Sequence, residues 1–118
     1  MTDMVNHPPH YTSHPVFTME CHDIARHMTF DAGNALKYLW RCDQKGNRRQ
    51  DLEKARWYLQ HADRVWIRER PDIVDRLIDD FAGAEVLDAV HWAATILADG
   101  GLTLALHAVD DALAGEEA

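Results

Sequence analysis

The sequence predicts an all-α protein with a single domain. Apolar residues recur at spacings of three and four along most of residues 19–113, as on the buried face of a helix. Glycine and proline separate these stretches, and no alternating β-branched run competes with them. The 118 residues suffice for one hydrophobic core. We therefore expect a small helical domain with a central antiparallel helical hairpin, an extended N-terminal arm and additional C-terminal helices.

The N-terminal arm is predicted over residues 1–18, which hold three of the four prolines. Proline disfavours helix both at its own position and at the residue before it, so this segment should lie extended on the surface. A short first helix is expected over 19–28. Asp31 is the predicted N-cap of a second helix that runs to about Gln44.

The third predicted helix runs from Gln50 to about Glu69, before Pro71 ends it, and has Trp66 on its apolar face. The short turn around Gly46 should make the second and third helices antiparallel neighbours. Three further helices are predicted over 73–81, 86–97 and 102–113. We expect residues 1–70 to form the binding core with its arm. Residues 71–118 would be an acidic helical extension of the same domain, packed on the core or on a neighbouring subunit.

The net charge of −8 is divided unevenly along the chain. Residues 1–70 contain 11 Lys and Arg against 9 Asp and Glu, whereas residues 71–118 contain 1 against 11. Such an acidic chain is a poor general nucleic-acid binder, although a local pocket can still hold a small anion. Two cysteines, no secretory signal and no apolar run near the roughly 20 residues of a membrane span predict a cytoplasmic protein with no membrane role.

Two polar stripes form the main site candidate. Their residues recur at helical spacing on the second and third predicted helices. They are Asn34, Lys37, Tyr38 and Arg41 on one helix, and Asp51, Lys54, Tyr58 and His61 on the other. If the stripes face each other, their donors would converge on one cleft suited to phosphate, with Asp51 orienting a lysine or binding a metal. The alternative is a solvated helical hairpin with ion pairs and no ligand.

Other groups carry weaker signals. Glu20, Asp23 and His27 have the chemistry of a divalent-metal or general-base site, but an exposed helical face is the simpler interpretation. The four tryptophans are expected in the core or at an oligomer interface, and the broad apolar faces predict a homo-oligomer. A Walker-type phosphate loop and a Gly-x-Ser-x-Gly elbow are both missing from the sequence.

Several ordered blocks over residues 6 to about 64 resemble the SaV-like bacteriophage family. They are Asn6-His7-Pro8-Pro9-His10-Tyr11, Met19-Glu20-Cys21, the segment from Gly33 to Arg41, Lys45-Gly46 and the segment from Asp51 to Leu59. The chain departs from the pattern at Cys42 and Asp43, and the segment after Pro71 has no counterpart. The family includes a phage nucleotide kinase without a Walker loop, which phosphorylates deoxynucleoside monophosphates and assembles as a homo-oligomer.

The resemblance implies a nucleotide kinase that uses Mg²⁺ and a nucleoside triphosphate donor. Lys37, Arg41, Lys54 and Glu20 would be catalytic, and Asp51 a metal ligand. The implied substrate-binding residues are His7, His10, Tyr11, Asn34, Tyr38, Lys45 and Tyr58. Three alternatives stay open. They are a binder that sequesters nucleotides, including cyclic signalling nucleotides, an all-α nucleoside triphosphate pyrophosphohydrolase using Glu20/Asp23 and Glu85/Asp88, and a purely structural oligomer.

Overall fold

The computed structural model describes residues 14–42, 46–85 and 88–117, and these ranges contain six helices. They are α1 (Cys21–Ala25), α2 (Phe30–Arg41), α3 (Arg48–His61), α4 (Ile73–Ala82), α5 (Ala89–Ala98) and α6 (Leu102–Glu117). The described ranges hold no sheet, and their β pairing is one isolated antiparallel bridge between Met28 and Trp66. The all-α prediction is therefore confirmed. Most of the predicted arm lies outside the described residues.

Two helical hairpins form the body of the molecule. Helices α2 and α3 pack on each other most extensively, α5 packs on α6, and the two hairpins meet through α2 with α5 and α3 with α6. Their inner faces are buried and consist mainly of leucine, valine and alanine. Alanine leaves room for two helices to approach closely, because it adds little volume between their backbones. Helix α1 packs on α2, and α4 packs on α5.

The central hairpin has the apolar spacing that the sequence predicts. Leu36, Leu39 and Trp40 of α2 are buried, as are Leu52 and Leu59 of α3. These positions follow the three-and-four spacing of a helix that buries one side. The opposite side of each helix is left for the polar stripes, and the packing of α2 on α3 brings the two stripes together.

The predicted third helix is wrong in its second half. Helix α3 ends at His61, and Ala62 is already extended at ψ 134°. The chain then pairs with the segment before α2, since Thr29 N–H donates to Val65 O at 2.9 Å and Ile67 N–H donates to His27 O at 3.0 Å. These bonds require an extended backbone, so Trp66 does not continue the apolar face of α3.

The same pairing moves the start of α2. Helix α1 is also shorter than the predicted 19–28, since it spans Cys21–Ala25. The N-cap of α2 is Thr29 and not Asp31. The Thr29 backbone is held extended by its bond to Val65, and its hydroxyl donates to Arg64 O at 2.7 Å. Helix α2 can therefore begin only at Phe30. Helix α3 begins two residues before the predicted start, with Asn47 as its N-cap.

A glycine lies in the turn of each of the two helical hairpins. Gly46, in the turn between α2 and α3, has φ 77°, and Gly100, between α5 and α6, has φ 92°. Both values lie in the left-handed region, which glycine adopts without a Cβ clash. Within the ranges given above, no helix is long and apolar enough to cross a membrane.

Candidate anion-binding site

Three cations from the two central helices surround one aromatic ring. The Tyr38 ring centroid lies 4.6 Å from Lys37 Nζ, 4.7 Å from Arg41 Cζ and 5.3 Å from Lys54 Nζ. Lys37 and Arg41 project from consecutive turns of α2, whereas Lys54 comes from α3. We call Lys37, Tyr38, Arg41 and Lys54 the cationic cluster. The side chains of the two polar stripes thus converge here, as expected if the stripes face each other.

Asp51 holds one of the three cations. Its Oδ1 accepts from Arg41 Nε at 3.4 Å and from Arg41 Nη2 at 3.3 Å. The residue is only 2 % exposed, so its carboxylate is shielded from water. Its other oxygen, Oδ2, is buried and accepts no hydrogen bond in the described part of the chain. Asp51 therefore orients an arginine, and not the lysine that the sequence analysis considered.

The two lysines of the cluster differ from the arginine in their partners. Across residues 14–42, 46–85 and 88–117, neither Lys37 nor Lys54 forms an ion pair with a carboxylate. Lys37 is exposed and Lys54 is half-buried. Like charges held near one ring repel each other, and an anion between them would remove that repulsion. The cluster thus combines cation–π contacts with two ammonium groups open to a ligand.

Aromatic side chains extend the cluster along α3. Tyr58 stacks on Tyr38 with ring centroids 5.9 Å apart and an interplanar angle of 14°. Phe30 and Trp57 each meet Tyr58 edge to face, at 6.2 and 5.1 Å. Phe30 is 76 % exposed and Trp57 is 53 % exposed. A row of rings therefore leads from the cations out to solvent.

Other predicted residues take local structural roles. Asn34 Nδ2 donates to Phe30 O at 2.8 Å, within its own helix. Glu20 precedes α1, and its N–H donates to Asp23 Oδ2 at 3.0 Å. In the described ranges no group of three His, Cys, Asp or Glu side chains is placed to hold a metal ion. His7, His10, Tyr11 and Lys45 lie outside the described residues, so their predicted contacts stay predictions.

Cys21 is half-buried at the start of α1, and its thiol is a poor nucleophile. Burial raises the pKa of its thiol to about 12, Lys37 lowers that pKa and Asp23 raises it further. Because only the thiolate attacks, the residue is unreactive near neutral pH. Helix α1 packs on α2, the helix that carries Lys37.

The carboxylates of the pyrophosphohydrolase alternative do not gather in the described residues. Asp88 caps α5, where its Oδ1 accepts from Val90 N–H at 2.7 Å, and its Oδ2 lies 3.9 Å from Arg48. Asp23 is engaged at the start of α1. Glu85 is exposed. These contacts are those of helix caps and surface residues.

An imidazole cluster at the start of the described chain was not foreseen from the sequence. His14 Nδ1 accepts from Val16 N–H at 3.0 Å and from Phe17 N–H at 3.1 Å, and Nε2 lies 3.1 Å from Trp40 O. Its ring lies 5.0 Å from that of His91. Desolvation, and then the proximity of His91, lower the pKa of His14 to about 4. His14 thus fastens the N-terminal segment to the end of α2.

The tryptophans divide between core and surface. Trp40 is buried and Trp66 is half-buried, but Trp57 and Trp92 are about half exposed. Of the two expected positions, core or oligomer interface, the core is thus excluded for Trp57 and Trp92. The expected homo-oligomer, in which exposed tryptophans would be covered, stays a prediction.

Comparison with known proteins gives one family match. Neither a curated protein nor a solved structure matches the chain significantly. Residues 5–60 match a family described as a protein of unknown function, DUF3310. The matched segment is a little under half of the chain, and it contains the whole cationic cluster together with Asp51 and Tyr58.

Proposed function

We propose that the protein binds a nucleotide, with the phosphate groups in the cationic cluster. The observation that carries the proposal is the convergence of Lys37, Arg41 and Lys54 on the ring of Tyr38. Asp and Glu outnumber Lys and Arg by 20 to 12 in this chain, so carboxylate partners are plentiful. Two lysines that stand together without such a partner in the described residues favour an external anion as their counterion.

The cluster is suited to phosphate more than to a single carboxylate. A phosphate group presents several acceptor oxygens, which can take hydrogen bonds from two ammonium groups and a guanidinium at once. Asp51 fixes the guanidinium through Nε and Nη2, so the remaining N–H groups of Arg41 keep one direction. A donor held in place loses less conformational entropy when a ligand binds.

Phosphoryl transfer to a deoxynucleoside monophosphate is the chemistry that we propose for this site. Such a reaction depends mainly on positioning and on neutralising the charge of the transferred group, which three cations can do. The resemblance to the SaV-like bacteriophage family supports this choice. In the proposal a nucleoside triphosphate is the donor. Of the two carboxylates predicted for Mg²⁺, Glu20 would hold the ion through water, because Asp51 is buried and engaged by Arg41. Asn34 and Tyr38 position the sugar or base, and His7, His10, Tyr11, Lys45 and Tyr58 complete the nucleotide site.

Binding is tested first and turnover second, both on the full-length chain. Isothermal titration of the four deoxynucleoside monophosphates, with and without Mg²⁺, should give saturable binding. Arg41→Ala should weaken it by about 10-fold or more, since a charge-assisted hydrogen bond contributes roughly 1.5–3 kcal/mol. Arg56→Ala is the matched control. Arg56 lies two residues beyond Lys54, hence about 200° around α3, and pairs with Asp110 at 3.8 Å.

Turnover is then followed by chromatography of a deoxynucleoside monophosphate incubated with a nucleoside triphosphate and Mg²⁺. Formation of the deoxynucleoside diphosphate would support the kinase. Binding without product would favour a protein that sequesters nucleotides, and release of pyrophosphate would favour the hydrolase. Equal affinity of the wild type and Arg41→Ala would contradict the proposed site itself.

A further inference from the structure

The exposed rings beside the cationic cluster are unusual for side chains of their size. Phe30 and Trp57 are among the most exposed large apolar residues of the described chain. An exposed aromatic ring loses the stabilisation that burial would give it. Such rings therefore suggest a partner that covers them in the functional state.

The position of these rings indicates what that partner is. Two successive ring contacts, of 6.2 and 5.9 Å, connect Phe30 to Tyr38 through Tyr58. Tyr38 is the ring around which the three cations gather. The cations and the exposed rings are thus joined by one continuous series of side-chain contacts. A ligand that fits both ends has an anionic group at one end and a flat apolar ring at the other.

Trp57 is held in position before any ligand arrives. The imidazole of His61 stacks on its indole with centroids 3.9 Å apart, and His61 Nδ1 lies 2.7 Å from Trp57 O. Tyr58 meets the indole nearly at right angles, at 84°. A ring that is already fixed loses little entropy when a base stacks on it.

We propose that Phe30, Trp57 and Tyr58 form a stacking surface for the nucleobase, so that the site selects ligands carrying both a base and a phosphate. The inference rests on the proposed function and assigns the base to the outer end of the row of rings. Aromatic residues stack on any base, because each base has a π face. The surface should therefore raise the affinity for all four nucleotides above the affinity for a sugar phosphate that lacks a base.

The test compares ligands that differ only by the base. Isothermal titration is carried out with the four deoxynucleoside 5′-monophosphates and with 2-deoxyribose 5-phosphate. The wild type should bind the nucleotides about tenfold more tightly than 2-deoxyribose 5-phosphate, which corresponds to about 1.4 kcal/mol. Trp57→Leu and Phe30→Leu should each remove most of that difference and leave the affinity for 2-deoxyribose 5-phosphate unchanged. Lys54→Met should weaken both ligand classes.

Trp92 provides the matched control. It is 49 % exposed, close to the exposure of Trp57, but it lies on α5 in contact with Phe81. Trp92→Leu should leave every affinity unchanged. Nucleotide binding should also quench tryptophan fluorescence in Trp92→Phe and not in Trp57→Phe, because only Trp57 would stack on the base.

The outcomes separate this inference from the proposed function. If 2-deoxyribose 5-phosphate binds as tightly as the nucleotides, the stacking surface is refuted and the phosphate site stands. If neither ligand class binds, both proposals fall. If Trp57→Leu alters the mass found by light scattering but no nucleotide affinity, the rings belong to a subunit contact and the inference is wrong.

Discussion

Acidification should destabilise the fold through His14. In the folded protein the pKa of this imidazole is lowered from 6.5 to about 4, chiefly because burial disfavours its charged form. A proton on Nδ1 would also remove the acceptor that now bonds Val16 and Phe17 N–H. As the pH falls below 6.5, the unfolded chain takes up this proton first. The contribution of His14 to stability is therefore complete above pH 6.5 and is lost progressively down to pH 4.

The size of the stability loss follows from the change in the pKa of His14. A change from 6.5 to about 4 corresponds to at most about 3.4 kcal/mol. His14 is only half-buried, so solvent screening reduces the expected loss to about 1–2 kcal/mol. His91 faces it from α5 at a ring distance of 5.0 Å, and its proximity adds to the lowering of the His14 pKa.

Urea denaturation at pH 7, 5.5 and 4.5 measures the loss in the free energy of unfolding. A substitution of His14 separates its contribution from that of other groups. His14→Asn keeps an oxygen that can accept the two backbone N–H groups but removes the titrating ring. The variant should be less stable than the wild type at pH 7. The difference in their free energies of unfolding should be smaller by about 1–2 kcal/mol at pH 4.5. His107→Asn, at an exposed position of α6, is the control. A stability difference that stays constant with pH would show that His14 does not cause the acid destabilisation.

Three further predictions concern the packing of the helices. Leu39→Ala, at a fully buried position of α2, should lower the free energy of unfolding by about 2–5 kcal/mol in urea, and a loss below 1 kcal/mol would contradict the core assignment. Gly101→Ala should lower it by about 1–3 kcal/mol, because the new Cβ would lie 2.8 Å from Ile96 Cγ2. Gly115→Ala, with nothing within 4 Å, should instead be neutral or stabilising, and equal effects at the two glycines would refute the steric argument. Truncation after Arg70 removes the α5–α6 hairpin and should abolish cooperative unfolding by circular dichroism, whereas a truncated chain that unfolds cooperatively would show that residues 14–70 fold alone.

Local patterns predicted the central hairpin, and distant contacts account for most of the errors. The spacing of Leu36, Leu39, Leu52 and Leu59 marks the buried faces of α2 and α3 in the sequence itself. The early end of α3 could not be predicted in this way. It results from pairing of residues 65–67 with 27–29, which are nearly forty positions apart. The contact of His14 with the end of α2 also joins distant residues, which are 26 positions apart.

The candidate site was predictable to a similar extent. Helical spacing places Lys37 and Arg41 on one stripe, and the short turn brings Lys54 opposite them. By residue type alone, Trp57 could be assigned only to the core or to an oligomer interface. Its position carried the correct signal, since Trp57 lies two residues from both Ala55 and Leu59 and therefore on the opposite face of α3. The burial of Asp51 depends on packing that a helical stripe does not reveal.

Phosphate binding at the cationic cluster can be tested by comparing two variants of equal net charge. Lys37→Met/Lys54→Met removes two charges from the cluster, and Arg56→Gln/Arg76→Gln removes two from exposed positions of α3 and α4. Both variants have the same formal charge, so a general electrostatic effect would change their affinities equally. By isothermal titration with deoxynucleoside monophosphates, the lysine variant should lose about 100-fold or more in affinity, from two charge-assisted contacts. The arginine variant should stay within about threefold of the wild type, because exposed charges away from the ligand are screened by salt. Equal losses, or no loss in the lysine variant, would contradict the account.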